Sequence, residues 1–228
     1  MTFTELELFA LRQSIIIAII SVLTVLPPAI ITAYFLVRFK FRGKVFLETI
    51  LLFPLVLPPV VTGYLLLLAV KKNSLIGGFF YNALGIDIAF TPIASVLASS
   101  IIIFPLMLRP IKISMESIDS NFIKVSRGLG KSGIQTFFSI VLPLCLPGII
   151  AGAVLGFARS LGEFGATIMV AGNIPFKTTT IPLAVYSYFN QVNSGGALSR
   201  LVVVCLIISF LSLLVSEYFF KVQKNCLK

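Results

Sequence analysis

The sequence predicts an all-α integral membrane protein of about five transmembrane helices, and three observations carry that prediction. Of its 228 residues 58% are hydrophobic and 11% are charged, whereas a soluble domain carries about 25% charged side chains, so a globular surface of this length could not be clothed. Apolar runs long enough to cross a bilayer as helices recur along the chain. Lys and Arg gather in alternate gaps between those runs, as they do in loops held on the cytoplasmic side of a membrane.

The first run extends from Gln13 to Val37. It is longer than the apolar core of a signal peptide and ends on the basic stop Arg38-Phe39-Lys40-Phe41-Arg42-Gly43-Lys44, which marks a retained span. The second, Phe46 to Val70, holds Pro54, Pro58 and Pro59, and each proline removes a backbone donor, so a broken helix is expected. The third, Thr91 to Leu108, is expected to end at Pro105 and Pro110. The fourth, Ile140 to Leu161, is expected to open at Pro143 and Pro147, and the fifth runs from Leu201 to Phe220. A sixth, short or re-entrant element stays open over residues 176–191, where Thr180-Ile181-Pro182-Leu183-Ala184-Val185-Tyr186 is apolar but too brief to cross.

Orientation follows from the basic residues. Segments 38–44, 109–139 and 221–228 hold twelve of them, and the alternate set holds five, Arg12, Lys71, Lys72, Lys177 and Arg200. Residues 1–12 are therefore expected outside the membrane and the tail 221–228 in the cytoplasm. The formal charge of +10 is a product of this topology, so membrane lipid and not nucleic acid is the expected partner. The chain has no His and three Cys, at 145, 205 and 226, without the spacing of a metal site or a disulfide framework. No metal, resident cofactor or catalytic constellation is expected.

Three features bear on function. Gly148, Gly152, Gly156 and Ser160 recur every four residues and give the fourth span a face that admits a close neighbour, either a helix of this chain or one of a second copy. Arg159 and Glu163 lie four apart at the end of the same span. Ionisable groups at membrane depth suggest a substrate route or a gate, and a pair snorkelling at the interface is the alternative. In the cytoplasmic loop 109–139, Ile118, Phe122, Val125 and Leu129 repeat at helical spacing, Asp119 or Ser120 is placed to cap the start, and Gly128, Gly130 and Gly133 to end the helix. Such a helix is suited to dock into a partner's groove, or else to rest on lipid headgroups. Gly130-Lys131-Ser132 imitates the end of a phosphate-binding loop, but the position that needs the first glycine is Val125, so no nucleotide site is expected in this chain.

The stretch Phe122-Ile123-Lys124-Val125-Ser126-Arg127-Gly128-Leu129-Gly130, followed by Leu142-Pro143-Leu144-Cys145-Leu146-Pro147-Gly148, resembles the coupling signature of type I ABC importer permeases. Lys124-Val125-Ser126 stand where that family has Glu-Ala-Ala, and Gly130 stands at its glycine. Downstream, Ala166-Thr167-Ile168-Met169-Val170-Ala171-Gly172-Asn173-Ile174-Pro175 and residues 178–186 are similar to the molybdate and sulfate branch, closer to its molybdate member. The resemblance implies a permease domain over 13–220 that couples through Ile118, Asp119, Phe122, Lys124, Val125, Ser126, Arg127, Leu129 and Gly130. It implies a homodimer of permeases, two cytoplasmic ATPase subunits that carry ATP and Mg, and an extracytoplasmic oxyanion-binding protein. Import of molybdate is the leading expectation. A sulfate or tungstate permease and a non-transporting scaffold or assembly factor are the alternatives. Thr62, Arg159, Ser160, Glu163 and Thr167 are the candidates for the pathway or gate, with backbone donors at broken helices supplementing their hydroxyls.

Overall fold

The structure is a computed structural model that describes residues 3–39, 41–85, 87–191 and 195–226. Lys40, Lys228 and the side chains of Lys221 and Lys224, all assigned above to the cytoplasmic side, lie outside that description. Among the described residues the regular elements are helices, with no strand.

Helix α1 spans Glu5–Arg38. Its start is fixed by a capping box in which Glu7 N donates to Thr4 Oγ1 at 3.3 Å and Thr4 N donates to Glu7 Oε2 at 2.6 Å, which satisfies two otherwise orphaned amides. Residues 5–12, expected as part of a separate outer segment, are therefore the first turns of this helix. Helices α2 (Lys44–Val56) and α3 (Pro59–Val70) replace the predicted straight second span and meet at a bend of 108°. Pro54 stays inside α2. The break falls at Leu57 and Pro58, whose backbones are extended, and Pro59 starts α3 where a missing N–H costs nothing. A short helix, α4 (Leu75–Leu84), is capped by Ser74 and ends at Gly85, whose φ of 67° is left-handed.

Helix α5 (Pro92–Glu116) corrects the third span. Pro105 and Pro110 do not end it, because a proline removes one ladder bond and bends a helix whose two halves are held by packing. Both are buried, and Pro110 lies against Gly148 and Gly152 of a later helix. The loop expected on the cytoplasmic side forms α6 (Ser120–Gly128) and a single turn, α7 (Gly133–Thr136). A π turn over Phe137–Val141 then leads into α8 (Leu142–Leu161), so the fourth span starts at Gly133 rather than Ile140. Pro143 supplies the reason: its ring crowds the carbonyl one turn back, and a wider turn, closed by Leu142 N on Phe137 O, makes the room. Two short helices follow, α9 (Gly165–Ala171) and α10 (Ile181–Phe189); α10 occupies the segment left open above and is about 13 Å long, too short to cross. Helix α11 covers Gly195–Cys226.

Among the described residues four helices are long and apolar enough to cross a membrane, and the bent α2–α3 pair, counted as one broken span, makes five. Helix α5 is the common wall of the bundle. Its Ile103, Met107, Leu108, Ile111 and Met115 pack with Val25, Ala29, Ala33 and Leu36 of α1 and Cys145 and Ile149 of α8. Its Ala94, Ala98 and Ile102 face a second cluster with Val70 of α3 and Ala166, Val170 and Ala171 of α9. Helix α11 is largely exposed; it lies along α8 and touches α10, and its Leu201 packs with Ala10 and Ala184.

Candidate functional site

Helix α6 is built from its cap upward. Asp119 Oδ1 accepts the Asn121 amide at 2.9 Å, which leaves Ser120 as the first helical residue. One side of α6 is fastened to the bundle: Ile118 and Ile123 pack against the main core, and buried Ser126 holds Thr136 with 3.1 Å between their hydroxyl oxygens. The other side is open. Phe122, Val125 and Leu129 are 56%, 63% and 78% exposed, and they line a groove of about 340 Å³ together with Asp119, Ser126, Lys131 and Ile140. Lys124 and Arg127 are exposed beside them. Gly130 closes the turn at φ +82° with open space where a Cβ would stand, so glycine is needed there for conformation and not for room.

The glycine face of α8 lies against α5. Gly148 abuts Ser114 and Pro110, Gly152 abuts Met107, Pro110 and Ile111, and a methyl on Gly156 would lie 2.8 Å from Met107 Sδ. The neighbour is thus a helix of the same chain.

Beyond Ser160 the chain turns at Gly162 into α9, and there Glu163 is 2% exposed. Its Oε1 accepts the Ala166 amide at 2.9 Å, and its Oε2 stands 2.8 Å from Arg159 Nη2. The start of α3 forms the opposite wall. A Cβ on Gly63 would lie 2.6 Å from Ala166 Cα, and one on Gly165 would lie 3.0 Å from Pro59 Cβ, so both glycines are required by close backbone approach. Thr62 precedes the first of these contacts and Thr167 follows it; both are buried, as is Ser160. Among the described residues the hydroxyls of Thr62 and Ser160 have no hydrogen-bond partner. Arg159, Glu163 and the α9 start are joined directly, while Thr62, Ser160 and Thr167 are buried on the neighbouring helices and are not bonded to the pair among the described residues.

Sequence reasoning missed three polar links. Arg200 Nη2 donates to Glu7 Oε1 at 2.9 Å. The Ile181 amide donates to buried Ser14 Oγ at 2.8 Å. Lys112 Nζ donates to Glu48 Oε1 at 2.7 Å, tying α2 to α5. The signal for the first was present, since each residue lies beside an apolar run where an unpaired charge is costly. Among the described residues no group of three His, Cys, Asp or Glu is placed to hold a metal ion.

The sequence profile of the family described as "Binding-protein-dependent transport system inner membrane component" matches residues 25–223. The chain belongs to that family. Relatives within reach span nearly its whole length. It is 45% identical over 216 residues to the molybdenum transport system permease protein ModB of Haemophilus influenzae, covering 95% of this chain and 94% of that protein. It is 42% identical over 225 residues to the ModB of Escherichia coli K12, covering 99% and 98%. Among solved structures, the inward-facing MetNI methionine ABC transporter superposes with a TM-score of 0.70 at 14% identity, over 96% of each chain, a likeness of fold alone. As a member of the family the chain is a multi-pass transport permease of the inner membrane, with the all-α architecture that the apolar runs predict.

Proposed function

We propose that this chain is the membrane-spanning permease subunit of an ATP-driven molybdate importer. The observation that carries the reading is near full-length similarity to two molybdenum transport permeases at 45% and 42% identity. In this reading two copies form the pore, two cytoplasmic ATPase subunits bind ATP and Mg, and an extracytoplasmic protein delivers the oxyanion. The N-terminus lies outside and the C-terminus inside.

Helix α6 is suited to receive the work of ATP closure. Its open row of Phe122, Val125 and Leu129 offers an apolar ridge to a groove on the ATPase. Its fastened side, through Ile123 and Ser126, passes displacement to α1, α5 and α8 rather than letting the helix slide. Lys124 and Arg127 add charge at the rim, Asp119 keeps the helix start in place and Gly130 allows the return turn.

Reconstitution into vesicles with the ATPase and the binding protein tests the reading. ATP-driven uptake of molybdate is expected, competed by tungstate and only weakly by an equal concentration of sulfate. Competition by sulfate at equal concentration reassigns the substrate, and failure to assemble with an ATPase supports the scaffold alternative. Val125→Asp places a charge in the apolar ridge and is expected to lower uptake at least about tenfold while the permease still reaches the membrane, with transport-linked ATPase activity lost in parallel.

A further inference from the structure

We infer that the Arg159 guanidinium is a transient contact for the oxyanion in passage, and that Glu163 sets how weak this contact is by competing for the same cation. The inference rests on the oxyanion-import reading above and names the side chains that act in it.

The two members of the pair are held unequally. Glu163 is 2% exposed and is anchored from behind by the Ala166 amide. Arg159 has 33% of its side chain exposed, and among the described residues Glu163 is its ion-pair partner. The contact closes at 2.8 Å without the alignment of a hydrogen bond, since Glu163 Oε2 has no hydrogen-bond partner. Among the described residues the pair meets through this one nitrogen–oxygen contact and not through the two-pronged fork that a carboxylate and an arginine can form, and the exposed third of the Arg159 side chain is the part an oxyanion could reach.

Two buried hydroxyls lie on the helices around the pair, one on α8 and one on α3. Ser160, next to Arg159, and Thr62, beside the α3–α9 contact, are 5% and 6% exposed, and neither hydroxyl has a hydrogen-bond partner. Buried hydroxyls without partners are costly; Ser95, Ser99 and Thr180 share this condition elsewhere in the bundle, and those of Ser160 and Thr62 are the ones on the helices that meet at the pair. The position also fits. The continuous helical segment Gly133–Leu161 has 29 residues and is about 43 Å long, and Arg159 lies at the end opposite the cytoplasmic loop.

The chemistry accounts for the pairing. A lone guanidinium in a site sheltered from water would hold a dianion too firmly for a carrier, because a transport site must bind well enough to admit the ion and weakly enough to release it. A fixed carboxylate at 2.8 Å repels the dianion while the cation attracts it.

The test uses the permease complex with its ATPase, equilibrium binding of molybdate without ATP, ATP-driven uptake in vesicles, and a parallel arm with sulfate. Glu163→Gln keeps an oxygen for the Ala166 amide and is expected to bind molybdate at least about tenfold more tightly than wild type, with slower uptake at equal protein level. The isosteric double variant Arg159→Gln/Glu163→Gln is expected to show no tightening and reduced uptake. Unchanged binding in the single variant, or wild-type uptake in the double, overturns the inference and leaves a structural pair. The two readings fail separately: wild-type uptake of sulfate but not molybdate sinks the molybdate assignment, yet tightening toward sulfate in Glu163→Gln would still uphold the role of the pair. Absence of tightening toward either anion overturns that role whatever the wild type carries.

Discussion

Glu7 and Arg200 show what a charge must do to survive in a chain this apolar. Glu7 is fully buried, and the Arg200 guanidinium reaches both of its oxygens, at 2.9 and 3.3 Å, joining the first helix to the last. The same carboxylate serves the α1 capping box, so one side chain closes a helix end and a long-range link. Arg200→Gln would leave a buried carboxylate without its cation, and a loss of about 3 kcal/mol is expected. Thermal unfolding in detergent checks this: the single variant should melt well below wild type, and Glu7→Gln/Arg200→Gln should recover at least half of the loss. Equal melting of the single and double variants would show that the pair carries no coupling. Charge counting along the sequence places both residues on the outer side but cannot pair them, because they are 193 positions apart and only folding decides which outer charges meet.

Prolines illustrate how the same residue has opposite consequences in different elements. Proline density marks the second span as broken, and α2 and α3 do meet at 108°. Yet Pro54 leaves its helix intact, and Pro105 and Pro110 sit inside α5. What separates them is the neighbour. Pro58 and Pro59 stand in tandem, and the second imposes an extended backbone on the first, which removes any helical path through the joint. Pro110 of α5 is clamped against the glycine face of α8 and Pro105 is buried, information that no local window contains. Replacing both Pro58 and Pro59 by alanine is expected to straighten the joint. Spin-label distances between α2 and α3 should lengthen by at least about 5 Å, the rise of a little over three helical residues, and uptake should fall; unchanged distances would show that the bend is imposed by packing. Helix α9 escaped sequence reading for a related reason. Seven residues are too few to display a period, and its place is set by Gly63 and Gly165, whose missing side chains let α3 and α9 approach.

The whole bundle was foreseeable in outline because the bilayer leaves so few ways to arrange such a chain. Length, apolar runs and basic loops suffice for about five helices, for the amphipathic α6 and for the role of Gly130. They do not predict that α5 is the common wall, since that depends on which of its faces meet α1, α8 and α9. Topology itself has a direct check. With the three native cysteines replaced by serine, a thiol introduced as Asn73→Cys should react with a membrane-impermeant reagent only from outside, and one introduced as Lys131→Cys only from inside. Both residues are exposed, so the reverse pattern would invert the assigned orientation rather than reflect burial. The π turn at Phe137–Val141 carries a consequence at this same scale. A turn that closes over five residues instead of four amounts to one residue inserted into an α-helix, which rotates everything on one side of it by about 100° relative to the other. The azimuth at which α7 leaves the membrane, and with it the compass bearing of the Phe122–Val125–Leu129 ridge around the bundle axis, is thus set by a winding defect next to Pro143. In the proposed docking, the geometry of the partner is in part a matter of helical phase.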